Sequence, residues 1–342
     1  MTPPRPRLAD VAARAGVSEK TVSNFVNGYP YMSETTRAKV QAAIEELGYR
    51  VNLSARSMGS GRTGFIALAV PTLDNPYFAQ LAGRVIAAAA AQRWTVLIEE
   101  TGGRKATEDR LVQSMPYLVD GMILQPEALS AIDLVSRSKD TPIVLLEEPE
   151  ADPVADHVAA EGVDAAKAIT EHLVDTGRRR IATIGITPDS ELRTTRLRHS
   201  GHLMGLEAAG VTPEPELWFP SAGYSRADGD AVMAEILASG QRPDAVLCFN
   251  AVTAAGALSR LHMSGVRVPE DIAVAAFDDI DESAFTVPPL TTVAWDLDGM
   301  AEAAVQLLAE RQSDDERPPR SVTLGYELKI RESTAIRPAG AR

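Results

Sequence analysis

The run LADVAARAGVSEKTVSNFVN, residues 8–27, decides how the rest of the chain is read. Its apolar residues recur at helical spacing, first Leu8, Val11, Ala12 and Ala15, then Val17, Val22, Phe25 and Val26. Gly16 falls between the two sets, where a residue without a Cβ can take the left-handed conformation that turns a chain sharply. Ser18 follows, where a hydroxyl can accept a hydrogen bond from the first turn of a second helix. Helix, glycine turn and helix within about 20 residues is the pattern of a helix-turn-helix. A third helix is expected from Val40, Ile44 and Leu47, capped by Ser33 and ended by Gly48.

Charge sets this head apart. Residues 1–62 hold nine Lys and Arg against five Asp and Glu, whereas the whole 342-residue chain holds 34 against 47. The head therefore carries +4 and the remainder −17. A small basic head on a large acidic body suits a DNA-binding module, because phosphate neutralisation needs only a local patch and the acidic body resists non-specific attraction. On charge alone, a solvated basic terminus is the alternative. With 45% hydrophobic and 24% charged residues, the chain is neither disordered nor fibrous, and its single cysteine, Cys248, makes no internal disulfide. The opening MTPPRPRLAD lacks the apolar core of an export signal. The longest apolar run, Val85–Ala91, is cut by Gln92 and Arg93, far short of the ~20 residues a spanning helix needs. A cytoplasmic protein with no membrane partner is expected.

After Tyr49 the segment RVNLSARSMGSGRTG, residues 50–64, has the composition of a linker. Gly59, Gly61 and Gly64 match the spacing of a dinucleotide fingerprint, but that device works after a strand and into a helix, and these glycines precede a strand. From residue 64 onward short β-branched runs alternate with amphipathic stretches: FIALAV, TVLIE, GMILQ, PIVLL, then RIATIG, AVLCF, IAVAAF and TTVAW. Such alternation predicts parallel sheets with helices on both faces. The strands are too many for one sheet, and the series pauses at EEPEADPVAD, residues 147–156, so two doubly wound lobes are expected with a ligand cleft at the carboxyl ends of their strands. The expected boundaries are a head over 1–50, a hinge over 51–63 and a body over 64–342. Within the body, lobe one takes 64–160 and 292–320, and lobe two takes 161–291 and 321–342.

The opening motif does not stand alone. Ser33-Glu34-Thr35-Thr36-Arg37, the run AAIEELGYRVNLSARSM at 42–58, Asn75-Pro76-Tyr77-Phe78, Val119-Asp120-Gly121, Arg196-x-Arg198-x-x-Gly201, Asp278-Asp279 and Pro288-Pro289-Leu290-Thr291-Thr292 follow it in order. Together they make a chain that resembles the lactose-repressor (LacI/GalR) family of bacterial transcription regulators over almost its whole length. The resemblance implies an all-α helix-turn-helix head, a hinge, and a two-lobed α/β body like that of periplasmic binding proteins. It also implies a repressor that binds palindromic operator DNA as a homodimer and answers to a sugar or related metabolite.

With Ser18 capping the second helix, Glu19, Lys20 and Asn24 fall on its exposed face. Lysine can donate to guanine, asparagine can pair with adenine and glutamate can accept from cytosine, so these are the base-reading candidates. Thr21, Ser23, Asn27, Ser33 and Thr36 match family positions that hold the DNA backbone, which short hydroxyl and amide side chains suit. In the hinge, the family's apolar wedge position carries Met58, a softer residue than the usual leucine for parting a base step. In the body, Tyr77 and Phe78 follow the first strand, where aromatic faces could stack on a sugar or base. Arg198 and Asp278 are opposite charges at effector positions, able to grip hydroxyls or a carboxylate. Glu147, Tyr224, Asn250 and Trp295 occupy further effector-lining positions. Core packing for the aromatics and a structural salt bridge for Arg198 and Asp278 are the alternatives. Ala251 replaces the aspartate that commonly follows Asn250, and Glu147 and Glu161 stand where aspartate is usual, which points to a ligand other than a common hexose.

No nucleophile elbow, P-loop or zinc-spaced cluster occurs, so no catalytic residue, metal or cofactor is expected. His199 and His202 lie three apart on one expected helix but lack a third ligand. Cys248 reads as inert core, and Arg178-Arg179-Arg180 as a solvated helix end. Two rivals remain: a solute-binding protein of a transport system, which would lack the head and carry an export signal, and a nucleotide-dependent α/β enzyme, which would need a glycine loop between strand and helix. With no apolar heptads before Arg342, a dimer rather than a tetramer is expected.

Overall fold

The computed structural model describes residues 6–26, 29, 31–49, 62–115, 118–130, 132–133, 141–146, 154–186, 192–314 and 316–335. Asn27, Met58, Glu147 and the linker residues 50–61 lie outside them. The chain divides into two compact units at Thr63 and Gly64.

The first unit holds three helices, α1 (Leu8–Ala15), α2 (Glu19–Val26) and α3 (Glu34–Leu47). Val11, Val22 and Val40, one from each, are fully buried and meet with Ala12, Ala15 and Ala43 in one small core. Gly16 has φ +65° at the end of α1 and Gly48 has φ +60° at the end of α3, the left-handed turns that the sequence called for. The Arg14 Nε donates to Glu46 Oε1 at 2.9 Å, an exposed pair that adds little to what the valines supply.

The second unit begins with β1 (Phe65–Val70), α4 (Pro76–Ala91), β2 (Thr95–Glu100), α5 (Lys105–Ser114), β3 (Met122–Leu124), β4 (Ile143–Leu146) and β5 (Asp156–Ala160). It continues through α6 (Gly162–Asp175), β6 (Ile181–Ile184), α7 (Arg193–Ala208), β7 (Trp218–Phe219), α8 (Arg226–Ala238), β8 (Ala245–Cys248), α9 (Ala251–Met263) and β9 (Ala273–Phe277). It finishes with β10 (Thr291–Trp295), α10 (Leu297–Ser313), β11 (Ser321–Leu324) and β12 (Tyr326–Lys329). Two six-stranded sheets result, ordered β11-β5-β4-β3-β1-β2 and β12-β10-β9-β8-β6-β7. The first is parallel throughout, whereas in the second β12 runs antiparallel to β10. Alternation along β1 explains the layers: Ile66, Leu68 and Val70 face α4 and α10, while Ala67 and Ala69 face α5.

Two expected boundaries are corrected by strand pairing. Thr291–Trp295 pairs with Ala273–Phe277 and so belongs to lobe two, and Ser321–Leu324 pairs with Asp156–Ala160 and so belongs to lobe one. A strand's own alternation reports burial but not which neighbour it joins. The chain thus passes between lobes after Ala160, Trp295 and Leu324. Within lobe two the helices pack at very close range: a Cβ on Gly256 of α9 would lie 1.9 Å from the Arg226 carbonyl oxygen of α8, and one on Gly201 of α7 would lie 2.2 Å from the Val163 carbonyl oxygen of α6.

Candidate functional site

Both sheets reverse their winding direction at equivalent places, between β1 and β3 and between β6 and β8. Loops leaving the carboxyl ends of strands diverge at such points and leave a crevice. A cavity of about 760 Å³ lies here. Lobe one contributes Asp74, Asn75, Tyr77 and Phe78 after β1, Gln125 and Glu127 after β3, and an apolar floor of Leu146, Val158 and Met300. Lobe two contributes Arg193, Arg196 and Arg198 from α7, with Tyr224, Arg226, Phe249, Asn250, Asp278 and Trp295.

Arg198 and Asp278 are both buried, and the Arg198 Nη2 lies 3.4 Å from Asp278 Oδ1. The Arg198 Nη1 donates to the Phe249 carbonyl oxygen, and its guanidinium rests against the rings of Phe277 and Phe249, 4.3 and 4.5 Å from their centroids. Trp295 Nε1 donates to the same Asp278 Oδ1 at 2.7 Å. Asp278 has φ +67°, a conformation uncommon outside glycine, which turns the backbone just past the end of β9. Its Oδ2 makes no hydrogen bond among the described residues, so one oxygen of the ion pair is left open on a residue that lines the cavity.

The aromatic candidates divide. Phe78 is 8% exposed and packs within the lobe-one core while its edge lines the cavity. Tyr77 and Trp295 each pack against cores of both lobes, Tyr77 beside α8 and α9 as well as α4, and Trp295 beside both sheets. Tyr224 lies over Phe249 with ring centroids 4.1 Å apart, its hydroxyl 3.3 Å from Thr195 Oγ1. Asn250 lines the cavity, but its Oδ1 accepts from the Thr253 amide at 2.8 Å and from the Thr253 hydroxyl, capping α9. Its acceptor is spent on the helix, and its Nδ2 group donates a long hydrogen bond, 3.5 Å, to the Tyr224 carbonyl oxygen.

Sequence reasoning missed Asp74, Gln125, Glu127, Arg193, Arg196, Arg226 and Phe249. Arg193 and Arg196 could have been found from their spacing to Arg198 at the start of a helix following a strand, whereas Arg226, on another helix, had no such signal. Glu127 had no signal, because its place depends on Glu108 of α5, a fully buried carboxylate. Glu108 accepts from the amides of Glu127, Ala128 and Leu129 at 2.9, 3.2 and 2.8 Å and so shapes the loop along the cavity. Burial and the neighbouring Glu108 push the Glu127 carboxyl above its ordinary pKa.

The residues set aside as non-catalytic have structural positions. His202 is fully buried between α6 and α7, with Nδ1 2.9 Å from Thr170 Oγ1, and burial lowers its pKa to about 3. His199 meets Trp218 edge-on. Cys248 is buried in β8, where desolvation pushes its thiol pKa up and keeps it protonated. The expectation that Arg178–Arg180 are a solvated helix end needs correcting: the amides of Arg179 and Arg180 donate to Asp244 at 2.8 and 3.0 Å, and the Arg179 guanidinium donates to the Val174 carbonyl oxygen at the end of α6.

In the head, Ser18 Oγ accepts from the Thr21 amide at 3.1 Å and lies 2.9 Å from the Thr21 hydroxyl. Ser33 and Thr36 repeat the arrangement at the start of α3, at 3.3 and 2.8 Å. Each helix start therefore presents a hydroxyl pair at the end of the helix dipole that favours anions. With Val22 buried, α2 turns Glu19 and Lys20 fully outward and leaves Thr21, Ser23 and Asn24 half-buried along the same side.

Residues 7–52 match the family described as bacterial regulatory proteins, lacI family, and residues 170–334 match a periplasmic binding protein-like domain. The HTH-type transcriptional repressor PurR of Photobacterium profundum is 30% identical over 329 residues, covering 95% of this chain and 98% of that protein. Among solved structures, a putative transcriptional regulator of the LacI family from Sanguibacter keddieii is 38% identical with a TM-score of 0.72, covering 80% of this chain and 99% of its own. The lac repressor dimer bound to operator and the anti-inducer ONPF is 26% identical with a TM-score of 0.84, covering 97% of this chain and all of its own. The match of the head to the family model and the 30% identity to a repressor over 95% of the chain place this chain in the lacI family of bacterial regulatory proteins.

Proposed function

We propose that this protein is a transcriptional repressor, that its head (residues 1–50) and hinge (51–63) bind a palindromic operator as a homodimer, and that a polar small molecule bound in the body controls it. The carrying observation is the buried Arg198–Asp278 pair, which holds a donor and an open acceptor at the wall of a cavity lined from both lobes. A ligand touching both walls stabilises the lobe arrangement in which both contacts are made, and shifts the population accordingly. Arg198 and Asp278 orient its polar groups, Asn250 donates, and Tyr77, Tyr224 and Trp295 supply ring faces. The ligand class is a hydroxylated metabolite, with Glu161 and Ala251 favouring one other than a common hexose. The cavity is assigned a binding role and no catalytic step. On the head, Lys20, Asn24 and Glu19 read bases, while Ser18, Thr21, Ser23, Asn27, Ser33 and Thr36 hold phosphates.

A thermal-shift screen of sugars, sugar acids and nucleosides, followed by operator binding with and without each hit, tests this. The expected result is a stabilising ligand that changes operator affinity. A fragment beginning at Gly64 should keep that ligand and lose the DNA. Operator binding retained by the fragment, or full insensitivity of operator binding to every stabilising ligand, overturns the proposal.

A further inference from the structure

Among the described residues of the head, two large hydrophobic side chains lie open to solvent: Tyr29, 48% exposed, and Tyr31, 85% exposed. Their rings meet edge to face, with centroids 5.7 Å apart and planes at 70°. The contact orders the two rings against each other without burying either, so their apolar faces remain available to a partner. The pair is also tied to the DNA-facing elements. The Tyr29 amide donates to the Asn24 carbonyl oxygen at 2.9 Å, fixing Tyr29 against the last turn of α2. Tyr31 stands two residues before Ser33, whose hydroxyl pairs with Thr36 at the start of α3. With Asn24 reading a base and Ser33 holding a phosphate, as proposed above, the chain between them passes from the groove to the sugar-phosphate backbone. The tyrosines occupy that crossing.

We propose that Tyr29 and Tyr31 form an aromatic contact to the DNA backbone, with a phenol hydroxyl donating to a phosphate oxygen and the rings packing on deoxyribose. This rests on the head being the DNA-binding element. Tyrosine suits the place because it pairs an apolar body with a polar tip, and a neutral donor can approach phosphate without first giving up the hydration of a charge. The surrounding charge favours the same partner, since residues 1–62 carry +4 and Arg37, stacked 5.8 Å over Phe25, follows on the first turn of α3. A backbone contact of this kind raises affinity for all sequences alike. Being neutral, it releases no counterion, so its loss leaves the salt dependence of binding unchanged, whereas loss of a lysine or arginine contact lowers the slope by about one.

The test uses full-length protein and the variants Tyr31→Phe, Tyr31→Ala and Tyr29→Ala/Tyr31→Ala, with operator and an unrelated duplex as probes over a range of salt. Because both side chains are exposed, helix content and thermal melting should match the parent, and circular dichroism checks this. The double variant should lose about ten- to a hundredfold in affinity for both DNAs with an unchanged salt slope. Tyr31→Phe should fall between parent and Tyr31→Ala. Parental affinity in the double variant overturns the proposal. So does a loss confined to the operator, which would make the pair a base reader, or a change in self-association without a change in DNA affinity, which would make it a protein contact. Failure of the parent to bind either DNA removes the DNA-binding reading of the head itself, and is distinguishable from all of these.

Discussion

Mild acid should weaken the body through one side chain, His202. Its environment fixes the tautomer. The Thr170 hydroxyl donates to the Ala166 carbonyl oxygen at 2.8 Å, so it accepts from His202 Nδ1–H at 2.9 Å. That leaves Nε2 as the bare nitrogen, fully buried and without a partner among the described residues. Adding a proton there would create a buried cation and a donor with no acceptor, between helices so close that Gly201 and Gly205 cannot carry a Cβ without displacing carbonyl oxygens of α6. The pKa accordingly falls from 6.5 to about 3 in the folded protein. Because the native state binds fewer protons than the unfolded chain between those values, stability is full above pH 6.5 and is lost as pH falls below it. At pH 5 the unfolded chain gains about 2 kcal/mol from protonating this one imidazole, which for a body of this size lowers the melting temperature by about 4–8 °C. Other groups titrate in the same range, so the comparison is with His202→Leu, which gives up about 1 kcal/mol of hydrogen bonding at every pH but has no proton to bind. Calorimetry of both proteins at pH 7.5 and pH 5 isolates the difference. Equal pH dependence in parent and variant would refute a neutral, partnerless Nε2.

Three further outcomes follow from the geometry. Asp278→Asn keeps a side chain that tolerates φ +67° but leaves the Arg198 guanidinium uncompensated; it should cost about 3–5 kcal/mol by calorimetry, with most of it regained in Arg198→Met/Asp278→Asn, and a parental melting temperature in the single variant would show that the charge is not desolvated. Lys20→Ala should cost about 1–3 kcal/mol of operator binding and relax preference at one or two base pairs, whereas Thr21→Ala should weaken all sequences equally; identical sequence-independent losses would place Lys20 on phosphate. Gly256→Ala drives a methyl group into the Arg226 carbonyl oxygen and should destabilise lobe two by about 1–3 kcal/mol, and an unchanged unfolding transition would mean that α8 and α9 slide apart freely.

The head was legible almost to the residue because its signals are local: Gly16, Ser18, Ser33 and Gly48 act on their own backbone neighbours, and each stands where its chemistry demanded. The alternation of strands and helices in the body was equally plain. What the sequence did not carry was partnership. Nothing in Val322 and Leu324 themselves says which sheet they join; only pairing with β5 assigns them to the first, and β10 was misplaced for the same reason. At the cleft, Arg198 and Asp278 were found as opposite charges, yet the feature that leaves Asp278 Oδ2 open is Trp295 sharing Oδ1 with the arginine, a convergence of three distant segments. Asn250 was found too, but its acceptor is taken by its own helix, which a side chain's identity does not reveal.

The interlaced passage of the chain between lobes also governs how the protein can be made. Lobe one lacks its edge strand until Ser321–Leu324 has emerged, and lobe two lacks its own until Tyr326–Lys329 has followed. Both sheets thus take their last strand from one nine-residue stretch, 321–329, the first sheet just ahead of the second. A chain cut short before residue 321 would carry its head on a body with two open sheet edges, an arrangement prone to edge pairing and proteolysis. Loss of this one stretch therefore opens an edge in both walls of the cleft at once, rather than in one lobe at a time.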